Sequence, residues 1–423
     1  MDFRPLISQG DQVFSLIEKR NAHLDHPDAI INPEDTQRII DQLNRLISSL
    51  PDIQSPQNVD ELLTAELKRR AVGEKEELSS QLSSEVPTLE ETLAIYNIPP
   101  QDINSLPEWL HKNKPAVVSA NQRLIEEHIT HRQVKVFMGS SELKSQAETL
   151  VLNALISLKS VLRNHFLKLP GVSDFLDNYH IVIDSIETRA YTNWIANVMA
   201  ITSIGCTRMF HKSVYLVPEK LLAQFGHEGL GHSANHAITA SSSFPYFIKS
   251  AFTNVNSSTK ESVAQYFEQK IFDILKDNPT ATSELKLDES FETIYKRYQD
   301  ALILQQYWKH LGLYATLTLA RSRAGEEQKQ HQEISKYSIE PRWPSGFINR
   351  NRNNWDKLTG RLLPRVTKEL IYAADPVGRI MKSTPDKPRT DVERFILTGL
   401  WTPAGLEQWV KLNLEGKVPP VVS

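Results

Sequence analysis

Apolar residues recur at helical spacing through the first hundred residues, as at Ile39, Ile40, Leu43, Leu46 and Ile47, and predict a helical opening stretch. The segment GEKEELSSQLSSEVP, 73–87, is charged and serine-rich, and reads as either a solvated helix or a linker. Helical periodicity returns from about residue 120 to 170 and stops at LKLPGVSDF, where Pro170 and Gly171 interrupt it. YHIVIDSI, 179–186, alternates and is rich in β-branched residues, so it is the best strand candidate. Segments 261–277, 291–325 and 360–375 carry the helical period again, whereas EPRWPSGFINRNRNNWD, 340–356, reads as a basic, irregular loop with aromatics. The pattern predicts a mainly α chain with a minor β component and no internal repeat.

The chain has 423 residues, an apolar fraction of 40% and a formal net charge of −3. Such a length buries a sizeable core, and so small a charge gives no overall electrostatic case for nucleic acid or an anionic membrane as partner. One cysteine, Cys206, excludes an internal disulfide framework and suggests a reducing compartment. The N-terminal MDFRPLISQGDQVFSLIEKR has no positive start followed by an unbroken apolar block, so it reads as neither a signal peptide nor a membrane span. A cytoplasmic location is expected, with export by a signal-independent route left open.

The stretch LLAQFGHEGLGHSANHA, 221–237, changes the picture. His227 and His232 stand five residues apart, which on a regular α-helix splays them by about 140°, too far to share a zinc at about 2.0–2.1 Å. A turn widened to i→i+5 removes the conflict, and Gly229 and Gly231 should make such a bulge cheap. Pro218 and Glu219 suit a helix start, so the motif is expected on a helix. A third ligand is required, because a catalytic zinc takes three protein ligands and keeps a fourth position open. STKESVAQYFEQKIF supplies Glu261 as that ligand, on a helix that can return antiparallel to the first. Glu268, seven residues on and on the same face, is expected to orient a histidine or to substitute as ligand. Ser258 to Glu261 also fits a capping box, in which Glu261 merely satisfies backbone N–H groups. His236, four residues after His232, could compete as a ligand but is expected to face a loop or the substrate cleft, His211 is expected to be structural or cleft-lining, and Cys206 to be a small buried residue.

On these residues the chain resembles the gluzincin metallopeptidases. HEGLGH is similar to the HExxGH pattern of dipeptidyl-peptidase III. TKESVAQYFE resembles the TQEGLAVYxE segment of the tyrosine-carboxypeptidase family, with Thr259, Glu261, Ala264, Tyr266 and Glu268 in register. ELIYAADPVGR is more loosely similar to a helix of thermostable-carboxypeptidase-like bacterial proteins. Ser262 departs from that segment's glycine and Lys260 from its glutamine, and the second glutamate-rich motif of dipeptidyl-peptidase III is absent. The resemblance implies a helical zincin-like metallopeptidase with the metal site between two helices, an N-terminal helical region over 1–120 and a catalytic domain over 121–423. His227, His232 and Glu261 would hold Zn²⁺, which lowers the pKa of water, and Glu228 would act as general base. Tyr372 is the candidate donor to the oxyanion, with Tyr266 as the alternative. Arg342, Arg350, Arg352, Arg361 and Arg365 cluster downstream, where one could clamp a substrate's terminal carboxylate.

Two classes of function follow. The first is a zinc carboxypeptidase acting on a peptide or protein, with a zinc hydrolase of non-peptide amides as its near relative. The second is a helical binding or scaffold protein in which the same residues form a structural or vestigial metal site.

Overall fold

The computed structural model describes residues 3–24, 32–82, 103–125, 140–167, 171–184, 190–193, 196–210, 213–249, 256–321, 326–351 and 375–417. These residues are mainly helical, with five short strands. Among them no helix is long and apolar enough to cross a membrane.

The chain divides into two compact units, neither continuous in sequence: residues 1–112, 242–262 and 309–423 form one, and residues 113–241 and 263–308 the other. In the first unit the helix Pro33–Ser49 shows how local pattern becomes structure. Asn32 caps it by accepting from the Glu34 and Asp35 amides, and Ile39, Ile40, Leu43 and Leu46 all face the core. The helix Val59–Leu82 covers the first part of the charged segment at 73–87, but not as a solvated face. Within that segment Glu74 is buried and Lys75, Glu76 and Glu77 are half-buried, and earlier on the same helix Glu66 and Arg70 are buried as well. Glu66 accepts from the Thr402 amide at 2.6 Å and the Thr402 hydroxyl at 2.7 Å, at the start of the helix Pro403–Leu414. The segment read as an irregular loop at 340–356 instead contains the helix Trp343–Asn351, whose Phe347 and Ile348 are buried. Pro344 lies in its first turn, where a missing N–H costs nothing. Segment 360–375, apart from Asp375, lies outside the described residues.

In the second unit the expected strand is β1, His180–Asp184. It lies parallel to β3, Val198–Thr202, whose other edge takes β2, Tyr191–Asn193, in antiparallel register with Thr192 opposite Met199. A hairpin of β4, Thr207–Phe210, and β5, Ser213–Leu216, follows and leads into the helix that starts at Pro218. β3 is the central strand and is buried along most of its length.

Candidate metal centre

Pro218 occupies the first turn of the helix Pro218–Gln224, and Glu219 beside it pairs with Arg297 at 2.9 Å. This helix runs without a break into a nine-residue π-helix, Phe225–Ser233, and returns to α geometry over Ala234–Ser241. The Ala234 N–H donates to the Gly229 carbonyl five residues back, the widened turn that the histidine spacing demands. His227 and His232 therefore return to one side of the helix, with ring centroids 5.0 Å apart and planes at 85°.

The glycines of the motif do something other than loosen the backbone. Among the described residues only Gly171 and Gly416 are glycines with positive φ, so the π-helix needs no backbone freedom special to glycine. What the motif's glycines permit is close approach. A Cβ on Gly226 would stand 2.8 Å from the Glu268 Cα, and one on Gly231 would overlap the Ala264 Cα. On the opposite side, a Cβ on Gly229 would meet the Met199 Sδ and the Phe175 ring at 3.0 Å. The π-helix is thus wedged between β3 with Phe175 on one face and the helix Ser257–Lys276 on the other.

Glu261 lies on the same helix as Ala264 and Glu268, which approach the π-helix. Glu261 lies one turn before Ala264, and its carboxylate is brought to the histidines. One ligand atom from each of His227, His232 and Glu261 lies within 4.8 Å of the others. Glu268, two turns on, sets its Oε2 at 3.2 Å from the His227 Nδ1, with both side chains largely shielded from solvent. A proton on Nδ1 shared with this carboxylate leaves Nε2 as a lone pair and raises its basicity. The capping-box reading of Glu261 finds no support at Ser258. That residue is fully buried and its hydroxyl makes no hydrogen bond among the described residues, so it does not accept the helix amide a capping box requires.

Neighbouring residues complete the surroundings. Ser262, where the resembling family has glycine, donates to the Asp375 Oδ1 at 2.6 Å and accepts the Val377 N–H at 2.9 Å, tying the helix Pro376–Ser383 to the residue after Glu261. The Lys260 ammonium is pushed down to about 8 by burial, with Glu261 and Glu74 opposing and Arg70 adding to the shift. Two imidazoles and a carboxylate, with the Glu268 carboxylate behind one of the imidazoles, are the nitrogen and oxygen donors that zinc accepts. His227, His232 and Glu261 are the residues that could hold such an ion.

The proposed base, Glu228, projects from the turn between the two histidines. Its Oε2 accepts from the Thr192 hydroxyl at 2.9 Å, and its carbonyl accepts from Ser233 at 2.7 Å. The Thr192 contact had no signal in the sequence, because a three-residue strand 36 positions away has no spacing relation to the motif. His236 is engaged with the Tyr179 hydroxyl, 2.6 Å from its Nδ1, and burial lowers its pKa. Burial also raises the Tyr179 phenol, so a neutral phenol and a neutral imidazole share this hydrogen bond. Cys206 is fully buried, with its Sγ 3.2 Å from the Gln224 Oε1 and its thiol pushed up by burial. Tyr266 packs edge-on against Phe267. Arg342 is solvent-exposed in an ion pair with Glu340. Tyr372, His211, Arg352, Arg361 and Arg365 lie outside the described residues, as does the side chain of Arg350.

No family model matches the chain, and no curated protein or solved structure matches it.

Proposed function

We propose that the chain is a zinc-dependent metallopeptidase of gluzincin type, removing a C-terminal residue from a peptide or protein. The observation that carries this reading is the grouping of His227, His232 and Glu261 within 4.8 Å, with the Glu228 carboxylate on the same turn as the histidines. The donor set fits zinc, and Glu268 behind His227 supplies the carboxylate that metal-ligating histidines usually have. The similarity of TKESVAQYFE to the tyrosine-carboxypeptidase segment supports the choice of a C-terminal bond.

When bound, Zn²⁺ acts as a Lewis acid, polarising the scissile carbonyl and lowering the pKa of water toward about 7. The chain's residues do the rest. His227, His232 and Glu261 hold the ion, and Glu268 keeps the His227 ring in one orientation. Glu228 takes a proton from the attacking water and delivers it to the departing amine, so one carboxylate serves as base and then as acid.

The test replaces Glu228 by glutamine and maps peptide ends by mass spectrometry, using the zinc-loaded protein on a library of peptides with free C-termini. Wild type is expected to shorten peptides from the C-terminus in a chelator-sensitive manner. Glu228→Gln is expected to bind zinc equally and to cleave nothing. Full activity in that variant would overturn the assignment of the base, and no cleavage by wild type would overturn the peptidase reading.

A further inference from the structure

We infer that Thr192 is a positioning residue for Glu228, holding one oxygen of its carboxylate so that the other is left for the proton. This rests on the peptidase reading for its catalytic meaning, but the contact itself is independent of it. Thr192 lies on β2, the edge strand of the three-stranded sheet. Its Oγ1 is 2.9 Å from the Glu228 Oε2, 3.1 Å from the Glu228 carbonyl oxygen and 3.3 Å from the Ser233 Oγ.

One hydroxyl has one proton to give, and the surroundings decide where it goes. The Glu228 carbonyl already accepts from Ser233 at 2.7 Å, so the Ser233 proton is spent there. Of the acceptors left, the ionised carboxylate oxygen is both nearer and stronger, because hydrogen bonds to a charged acceptor are about twice as strong as neutral ones. The Thr192 proton therefore sits on the Glu228 Oε2. Among the described residues no second donor reaches this carboxylate.

The hold is rigid for three reasons. Threonine is β-branched and stiff at χ1, so its hydroxyl has few places to be. Thr192 is paired in the sheet opposite Met199, and the Met199 Sδ packs against Gly229, the residue after Glu228. Ser233 anchors the Glu228 backbone from the far end of the π-helix. Strand, hydroxyl and helix turn thus form one packed body in which the carboxylate has a defined orientation. A general base gains from such preorganisation, since a rotating carboxylate would have to be oriented at each turnover.

The experiment uses the full-length zinc-loaded protein, with Thr192→Val to remove the hydroxyl at nearly constant shape and Thr192→Ser to restore it. Zinc stoichiometry, melting temperature, kcat and KM on one peptide from the library, and a crystal structure of Thr192→Val are recorded. Support is a Thr192→Val protein with unchanged zinc content and melting temperature, a kcat lower by about tenfold or more as expected for losing a hydrogen bond to a charge, and KM within about twofold. Thr192→Ser should recover most of kcat, and the crystal structure should show the Glu228 carboxylate turned from its wild-type orientation. An unchanged kcat in Thr192→Val overturns the proposal, as does a loss that tracks zinc content or melting and is not recovered by serine. Should wild type cleave no peptide, the peptidase reading falls alone. The crystal structure then decides the positioning claim: a displaced Glu228 carboxylate upholds it, and an unmoved one overturns it.

Discussion

Gly231 and Ala264 stand backbone to backbone, close enough that a Cβ on Gly231 would overlap the Ala264 Cα. Because Ala264 is one turn from Glu261, any side chain at 231 pushes the carboxylate helix away from His232. Gly231→Ala is expected to destabilise the protein by about 1–3 kcal/mol through overpacking and to lose most of its zinc affinity. Gly229→Ala meets the Met199 side chain and the Phe175 ring rather than backbone, so its effect on zinc should be smaller. Metal-competition titration and thermal melting of both variants check this, and equal zinc affinity in Gly231→Ala would contradict it.

Glu268 should matter for the metal without touching it. Replacing it by alanine removes the carboxylate that stands 3.2 Å from the His227 Nδ1 and with it that hold on the ring's tautomer and orientation. Zinc affinity is expected to weaken by about 10–100-fold, with glutamine in between. A competitive chelator titration at constant pH reads the change directly.

His236 should make the protein acid-sensitive. Burial lowers its pKa below the ordinary 6.5, so the folded state refuses a proton that the unfolded chain accepts. With more protons bound in the unfolded state, stability rises with pH: this contribution is complete above about 6.5 and is lost as pH falls toward the lower folded value. Melting temperature should therefore decline from pH 7.5 to 5.5, and the decline should be shallower in His236→Asn. A slope unchanged by the substitution would locate the acid sensitivity elsewhere.

In the first unit Glu66 is a buried carboxylate that joins the helix Val59–Leu82 to Thr402. Glu66 accepts two hydrogen bonds from Thr402, and its field offsets part of the cost of burying Arg70. Glu66→Ala leaves the guanidinium and the Thr402 amide poorly compensated, so a loss of about 3–5 kcal/mol is expected. Glu66→Gln, which keeps an acceptor for Thr402, should lose less. Urea denaturation of the two variants against wild type gives the ordering.

Local pattern alone determined the elements whose cause is local. The helix Pro33–Ser49 follows from the period of its apolar residues, and β1 from the alternation in HIVID. The widened turn at Phe225–Ser233 was legible because two imidazoles five apart cannot share a side of a regular helix. Among the described residues four of the five strands were missed: β2, β4 and β5 are three or four residues long, too short for alternation to stand out, and β3 is buried almost throughout, so its VMAIT has no polar face to alternate with. The loop reading of 340–356 failed over Trp343–Asn351, where basic and polar residues hide the apolar pair Phe347 and Ile348 that the helix buries, and where Pro344 sits harmlessly in the first turn.

Tertiary structure decided everything that needed two distant segments in contact. Glu66 looks like a surface residue in sequence, yet its partner Thr402 is 336 positions away. The glycines of HEGLGH read as loosening a helix, and only the neighbouring backbones at Ala264 and Glu268 reveal them as points of close approach. Likewise the grouping of Glu261 with the histidines, and the Thr192 hydroxyl on Glu228, depend on which helix and which strand pack against the π-helix. Periodicity is written into neighbouring residues, whereas side chains meet across space only once the chain has packed.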